Sequence, residues 1–228
     1  PYQLSGLGAL FEAVPHLKKA SFAIALEPTD GVPQVGCVGS LHAELIFRGQ
    51  AAHSARPWQG KNAIHAAGEL LGDLNALVRR EVKIDGYSFF EVMSVTQAHG
   101  GSGRNVIPEA FEMNLNYRFA PGKTTDEAIL DVHQFVRGRC EVRVKDVASA
   151  GPVCTSNSHF HRLIALTGGV AQAKQAWTDV ARFGEQGIAA VNYGPGETAQ
   201  AHQRNESVSL EALEKSFGIL TAFLGHRA

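Results

Sequence analysis

Apolar and polar residues alternate most clearly along residues 111–119. The apolar members of this alternation are Phe111, Met113, Leu115, Tyr117 and Phe119. A period of two predicts a β-strand with one packed face and one solvated face. Residues 41–48 (LHAELIFR) follow the same rule and predict a second half-buried strand.

Two segments between predicted strands show the helical period. Residues 61–80 carry apolar side chains, including Leu77 and Val78, at helical spacing, which predicts an amphipathic helix. Residues 124–137 begin with threonine and acidic residues and end with arginine before a glycine, as a capped helix does. With strands at 89–96 and 141–147, the order over residues 40–148 is β-α-β-β-α-β, that of a ferredoxin-like module.

The flanking segments follow a different pattern. Residues 21–26 (SFAIAL) form a short apolar run that stops at a Pro/Gly turn, which predicts a buried strand. After a stretch of small residues at 149–158, the chain shows a helix, a strand at 187–193, a glycine-rich loop and a final helix at 210–224. We therefore predict an α/β domain from residues 1–39 and 149–228, interrupted by an α+β domain at 40–148.

Composition narrows the range of partners. The 228 residues contain 21 Lys plus Arg against 22 Asp plus Glu, so the chain has no strong basic field for nucleic acid or an anionic membrane. A small polar substrate is the expected partner. The three cysteines are widely spaced and form no Cys-x-x-Cys pair, which argues against a disulfide framework and favours a reducing cytoplasm.

Two loops that follow predicted strands contain metal-binding residue types. Glu27 lies in LEPTD, and His202 lies in NYGPGETAQAHQRNE. Sites in α/β domains assemble at the carboxyl ends of strands, so both positions suit a metal ligand. Taken singly, however, a lone Glu or His is more often structural or solvated.

The predicted inserted domain holds three further candidates. His53 follows a Gly-Gln-Ala-Ala stretch that lets a backbone or ligand approach, although a loop histidine bonded to backbone is the simpler interpretation. Arg118 lies on the polar face of its strand, where solvation is the default and carboxylate binding the alternative. Asn105 precedes a turn that ends in proline and could serve that turn alone. Gly100–Gly103 lacks phosphate-binding context and is interpreted as a flexible hairpin connection.

Five blocks occur in one order along nearly the whole chain: LEPTD, GQAAHSARPWQGKNAIHAA, RNVIPEAFEMNLNYRF, WTDVARFGEQGIAAVNYGPG and AHQRNE. In this order they resemble the di-zinc deacylases, a family that includes acetylornithine deacetylases, carboxypeptidase G type enzymes and succinyl-diaminopimelate desuccinylases. The residues within these blocks are most similar to those of the desuccinylases of the actinobacterial type. The resemblance implies a zinc-hydrolase α/β domain with an inserted lid that mediates dimerisation.

The resemblance also implies roles for individual residues. Glu27 resembles a carboxylate ligand of one zinc, and His202 resembles the imidazole ligand of the other. His53 resembles a lid histidine that reaches across a homodimer and stabilises the oxyanion in the partner's active site.

Three more positions match substrate-binding residues of that family. Asn105 and Arg118 look like lid residues that hold substrate carboxylates. Thr178, in WTD, looks like a substrate contact from the catalytic domain. The implied substrate is an N-acyl amino acid, and the implied reaction is hydrolysis of its amide bond with release of succinate.

One departure from the family pattern is large. The family's His-x-Asp motif, bridging Asp and Glu-Glu pair should lie upstream of SGLGALF, and the chain begins at Pro1. Two zinc ions, with cobalt as an alternative metal, need more ligands than Glu27 and His202 supply. We therefore expect the chain by itself to be inactive and its catalytic domain to be incomplete. An acetylornithine deacetylase or carboxypeptidase-like deacylase, and a non-catalytic dimerisation fragment, remain as alternatives.

Overall fold

The chain folds around two main β-sheets and a short two-stranded ladder. The structure, a computed structural model, describes residues 6–201 and 203–225. Its strands are β1 (Ala23–Ala25), β2 (Gln34–Val35), β3 (Gly39–Arg48), β4 (Ala52–His53), β5 (Arg80–Ile84), β6 (Tyr87–Gly100), β7 (Val106–Ile107), β8 (Ala110–Phe119), β9 (Glu141–Ala148), β10 (Gln172–Ala173) and β11 (Ala190–Asn192). Its α-helices are α1 (Gly6–Ala13), α2 (Ala63–Ala66), α3 (Gly68–Ala76), α4 (Thr125–Val136), α5 (Ser158–Leu166), α6 (Val180–Glu185) and α7 (Leu210–Leu224).

The first sheet has the strand order β1-β11-β2-β10. β1 and β11 run parallel, and so do β2 and β10, whereas β11 and β2 are antiparallel. One side of the sheet packs on helices α5 and α7 through Phe160, Leu163 and Phe223, which surround Val191 and Tyr193. The predicted α/β character of this part is confirmed.

The second sheet is antiparallel throughout and has the order β5-β6-β8-β3-β9. In its centre Leu41 pairs with Tyr117 and Leu45 with Met113, and all four side chains are buried under helices α2, α3 and α4. Each fully buried Leu contributes roughly 2 kcal/mol of hydrophobic free energy. The predicted alternation at 41–48 and 111–119 is therefore confirmed, and it assigns the apolar face of the sheet to the helices.

The helix predicted over residues 61–80 is wrong only at its carboxyl end, residues 77–80. Two short helices, α2 and α3, end at Ala76, and β5 follows as an additional edge strand. Asp85 and Gly86 form the tight turn to β6, both at positive φ (49° and 85°), which is the geometry that an Asp-Gly hairpin provides. Leu77 and Val78 lie beyond the helix and are 43% and 82% exposed, so they do not belong to its buried face.

Helix α4 matches its prediction because its end signals are local. The Thr124 hydroxyl accepts from the Glu127 backbone N–H, and the Glu127 carboxylate accepts from the Thr124 N–H, which completes a capping box. At the other end Arg137 and Gly138 take the left-handed conformation, with φ values of 53° and 72°.

The β5–β6 hairpin joins the two sheets. The Phe90 backbone N–H and C=O both bond to the Gln175 side chain, at 3.1 and 3.2 Å. The Thr155 hydroxyl donates to Asp85 at the hairpin turn. The strands of the second sheet all come from residues 39–148. The domain boundaries at 40 and 148 and the independent folding of that segment stay predictions.

Candidate functional site

The carboxyl ends of β1 and β11 bring two loops together. The two strands are parallel neighbours, so Glu27, just beyond β1, lies beside the loop that begins at Gly194. Thr29 is fully buried between them: its hydroxyl accepts from the Gly194 N–H at 3.0 Å and donates to the Gly194 C=O at 3.1 Å. This exchange fixes the backbone immediately after Glu27.

Asp30 continues the connection between the two loops. Its N–H donates to the Gly196 C=O at 2.9 Å, and its carboxylate accepts from the backbone N–H and the hydroxyl of Thr198. Glu27, half-buried, lines a cleft of about 320 Å³ together with Pro28, Pro195, Glu197 and Ser207. His202 lies outside the described residues, so its predicted role as a ligand stays a prediction.

Lys174 is a charged residue near Glu27 that the sequence did not single out. Its side chain is only 4% exposed, and its Nζ donates to the Pro28 C=O at 3.1 Å. Burial lowers the pKa of Lys174, and the negative charges of Glu27 and Asp30 oppose that shift. The ammonium therefore holds the loop that carries Glu27 and adds positive charge beside its carboxylate.

Thr178 presents a buried hydroxyl in the same part of the fold. It is 4% exposed, and its Oγ1 has no hydrogen-bond partner among residues 6–201 and 203–225. Its C=O accepts from the Cys37 thiol at 3.6 Å and from the Ala181 N–H at 3.1 Å, which fixes the residue ahead of α6. A buried hydroxyl left without a partner costs about 1–3 kcal/mol, so a ligand group that bonds to it gains that amount.

The described residues do not complete a metal centre. Within residues 6–201 and 203–225, no three His, Cys, Asp or Glu side chains lie close enough to hold a metal ion. Glu27 has the carboxylate chemistry that zinc accepts, but a zinc ion takes about four ligands. Metal binding by this chain is accordingly part of the proposal below.

His53 and Asn105 meet in the small ladder of β4 and β7. His53 pairs with Val106, and the Ser54 N–H donates to the Asn105 C=O at 2.9 Å. The His53 Nδ1 accepts from the Ala55 N–H at 3.1 Å. Because Nδ1 accepts, a neutral His53 carries its proton on Nε2, and this exposed atom is then a hydrogen-bond donor.

The backbone just before His53 closely contacts another backbone segment, as expected from the sequence. The Gln50 N–H donates to the Lys61 C=O at 2.8 Å, and a Cβ on Gly49 would lie 2.1 Å from that same oxygen. Glycine at position 49 therefore lets the two ends of the His53 loop close on each other.

Arg118 lies on the polar face of the second sheet, the face opposite the helices. It is half-buried, and its Nε donates to the Asn116 Oδ1 at 3.0 Å. Its two Nη groups form no hydrogen bond within the described residues. Burial lowers the pKa of Arg118, yet a guanidinium remains charged at neutral pH. The arrangement suits capture of a carboxylate.

The predicted site residues thus form two groups. His53 and Asn105 lie together on the ladder, with Arg118 on the adjoining sheet, and Glu27 and Thr178 belong to the first sheet. No hydrogen bond or ion pair between described residues joins His53 or Arg118 to Glu27 or Thr178. One chain therefore does not bring all the predicted groups into contact.

Comparison with known proteins gives the class of this fold. Residues 35–143 match the peptidase dimerisation domain of the M20 family. Aminopeptidase PepT from Bacillus cereus superposes with a TM-score of 0.73 at 17% identity, covering 97% of this chain and 61% of that one. An M20 family metallo-carboxypeptidase from Sulfolobus solfataricus gives 0.71 at 16% identity, covering 96% and 66%. Residues 35–143 are therefore an M20-type peptidase dimerisation domain, and the chain shares the fold of these two enzymes.

Particular relatives within the family carry deacylase names. The chain is 39% identical to the candidate succinyl-diaminopimelate desuccinylase DapE of Mycobacterium tuberculosis, over 97% of this chain and 63% of that protein. It is 35% identical to the succinyl-diaminopimelate desuccinylase of Corynebacterium glutamicum, over 97% and 61%. It is 32% identical to the acetylornithine deacetylase of Myxococcus xanthus, over 98% and 61%.

The matched proteins are longer than this chain, which spans 61–63% of their length. Among the described helices, none is long and apolar enough to cross a membrane.

Proposed function

We propose that this chain is the lid and part of the catalytic domain of a zinc-dependent desuccinylase that releases succinate from N-succinyl-LL-2,6-diaminopimelate. The observation that carries the proposal is the half-buried Arg118 guanidinium on the polar sheet face, whose Nη groups have no hydrogen-bond partner among residues 6–201 and 203–225. Such a group binds a carboxylate with two parallel hydrogen bonds. A succinyl amide of an amino diacid presents several carboxylates.

Each candidate residue has a role in this proposal. Zinc, held in part by Glu27 and His202, would supply an activated water and polarise the amide carbonyl. His53 offers its Nε2–H as an oxyanion donor, and such a donor contributes about 3 kcal/mol to transition-state stabilisation. Asn105 and Arg118 orient the substrate through its carboxylates, and the buried Thr178 hydroxyl is a further donor. The family resemblance implies two zinc ions per intact subunit, with cobalt as the alternative metal.

A homodimer through the lid belongs to the same proposal. Among the described strands, β8 alone pairs with residues 92–100 of β6, because β5 pairs no further along β6 than Glu91. This free edge (VMSVTQAHG) contains no Asp, Glu, Lys or Arg. The opposite edge strand, β9, carries Glu141, Arg143 and Lys145, which are charges of the kind that prevent strand pairing. We therefore assign the dimer contact to the free edge of β6.

Substrate profiling of the natural full-length protein tests the proposed activity. The kcat/KM values for succinyl, acetyl and glutamyl amides of the same amino acids should rank the succinyl compound first by roughly tenfold or more, a difference of about 1.4 kcal/mol. Arg118→Met should reduce that preference, whereas Arg48→Met, which removes an exposed arginine of the same domain, should not. Equal rates on all three amides would contradict the proposal.

Acetylornithine deacetylase activity is the second candidate, since relatives of that name match 89–98% of the chain. The same profiling distinguishes it, because an acetyl preference that survives Arg118→Met would favour it.

The three free cysteines, Cys37, Cys140 and Cys154, accord with the cytoplasmic location that we propose.

A further inference from the structure

Asn116 is connected to more groups than any other residue of the polar sheet face. Its Oδ1 accepts from Arg118 Nε at 3.0 Å. Its Nδ2 faces the Leu41 C=O at 3.1 Å, the Ser40 hydroxyl at 3.3 Å and His42 Nε2 at 3.2 Å. The register explains this connection, because Asn116 pairs with His42 and Arg118 pairs with Ser40 across β3 and β8.

The orientation of the Asn116 amide is determined by its partners. The Leu41 C=O can only accept and Arg118 Nε can only donate, so Nδ2 must face β3 and Oδ1 must face Arg118. A flipped amide would place two donors together and two acceptors together. The amide is therefore held from one side by β3 and presents a fixed acceptor to Arg118.

The same reasoning determines the tautomer of His42. Its Nε2 faces the Asn116 NH₂ group and must accept, so its proton lies on Nδ1. Asn114 Nδ2 lies 3.3 Å from His42 Nδ1 and 2.6 Å from the Thr96 hydroxyl. Because two donors cannot bond to each other, a proton on Nδ1 requires the flipped Asn114 amide, whose oxygen can accept from both groups. His42, in this tautomer, supports the Asn116 amide from the β3 side.

We infer that Asn116 is a positioning residue for substrate binding: it holds Arg118 by Nε, so that the guanidinium meets a substrate carboxylate end-on through Nη1 and Nη2. The inference rests on the proposed function, because it assumes that Arg118 binds a carboxylate. A carboxylate can otherwise bind an arginine side-on, through Nε and one Nη. With Nε occupied, that alternative is closed and the rotamer is fixed before the substrate arrives.

Steady-state kinetics of the full-length protein test this inference. Asn116→Ala should raise KM for the dicarboxylate substrate roughly three- to tenfold with kcat unchanged, as expected when a long side chain must be ordered on binding. Analogues in which each substrate carboxylate is replaced in turn by a carboxamide should include one whose KM the variant leaves unchanged. In an Arg118→Met background, Asn116→Ala should have no further effect.

Asn114→Ala is the matched control, because Asn114 lies on the same face and contacts His42 but not Arg118. Its KM should equal that of the wild type. Should Asn116→Ala fold poorly, Asn116→Ser carries the same expectation, since its hydroxyl is too short to reach Nε. A readout independent of activity is the ¹⁵N–¹H signal of Arg118 Nε, which should be protected from exchange in the wild type and in Asn114→Ala and lost in Asn116→Ala.

The outcomes separate this inference from the proposed function. If Arg118→Met raises KM but Asn116→Ala does not, or raises it equally in the Arg118→Met background, Asn116 has a structural role only and the inference is overturned. If Arg118→Met leaves KM for the dicarboxylate unchanged, Arg118 is not the carboxylate contact, and the proposed function fails together with the inference.

Discussion

Gly194 lies directly against Glu27: a Cβ on residue 194 would be 2.4 Å from the Glu27 carbonyl oxygen. No real Cβ tolerates that distance, and the contact is with backbone, which cannot move aside cheaply. The loop that leads toward His202 can therefore approach Glu27 only because residue 194 has no side chain.

Gly194→Ala should destabilise the protein by about 1–3 kcal/mol, since either the Glu27 loop or the 194–196 loop must shift. Gly218→Ala is the control, because its Cβ would meet nothing within 4 Å and lies inside helix α7, where alanine is favoured by about 0.5–1 kcal/mol. Urea unfolding measures both changes. Equal midpoints for Gly194→Ala and the wild type would show that the loops are not constrained by this contact.

Glu91 should be a large contributor to the stability of the second sheet and the helices that cover it. Its carboxylate is 6% exposed and accepts from the Ala120 N–H at 3.1 Å, Tyr117 Oη at 3.2 Å and Lys123 Nζ at 3.1 Å, with Arg80 Nε at 3.1 Å. Glu91→Ala leaves the half-buried Lys123 with the Asp131 carboxylate as its one remaining described ion-pair partner and should cost about 3–5 kcal/mol.

The exposed Glu81 on the neighbouring strand provides the comparison for Glu91. Its one side-chain hydrogen bond among the described residues is from the Ser88 hydroxyl, so Glu81→Ala should change stability by less than about 0.5 kcal/mol. Chemical denaturation of both variants is the measurement. A loss below about 1 kcal/mol for Glu91→Ala would contradict the assignment of a buried charge network.

The thiols should respond to pH through burial. Burial raises the pKa of Cys140 and of Cys154 to about 11. At pH 8 each thiolate should be populated roughly 100-fold less than in the unfolded chain, and labelling by a disulfide reagent should slow in proportion. Because the folded pKa is the higher one, this contribution to stability is complete below the unfolded value and is lost as pH rises toward 11. Labelling of the native protein at the rate of the denatured chain would show that these thiols are not buried.

The success of the sequence predictions depended on whether a signal was local. Helix α7 begins and ends at Leu210 and Leu224, as predicted, because Ser209 caps its start and Gly225 ends it in the left-handed conformation. Strand β5 was missed although Asp85-Gly86 is a strong hairpin signal, and the helix predicted at 61–80 extended past the end of α3 at Ala76.

Prediction of the candidate site was also restricted to residues that belong to a local motif. Motif blocks identified Glu27, His53, Asn105, Arg118 and Thr178, but Lys174 and Asn116 were not singled out. Lys174 is significant only because it meets Pro28, 146 residues away, and Asn116 only because strand register places it between His42 and Arg118. Contacts of that range leave no periodic or spacing signal in one sequence.

Dimer formation through β6 can be tested at its free edge. Ala98→Lys places a charge on the exposed segment 92–100 and should weaken dimerisation at least tenfold, as edge lysines do. Val144→Lys, on the opposite edge strand β9, should leave the dimer intact. Sedimentation equilibrium over a concentration series gives both constants. If Val144→Lys dissociates the dimer and Ala98→Lys does not, the contact lies at β9.

The proposed action of His53 across the dimer predicts that two inactive variants of the full-length protein restore each other. In a His53→Ala chain the metal ligands are intact but the donor to the partner is lost, whereas a Glu27→Ala chain loses a ligand and keeps its donor. Each homodimer should be about 100-fold or more below wild type, as expected for loss of an oxyanion contact or a ligand. In a mixed dimer, the site of the His53→Ala chain receives His53 from its partner and is complete.

Refolding the two variants together in equal amounts should then recover up to about a quarter of wild-type activity, because half the dimers are mixed and each has one of two sites restored. Differential tags confirm that mixed dimers form. If they form with metal bound and activity stays at the level of the separate variants, His53 acts within its own chain or is a structural loop histidine bonded to Ala55.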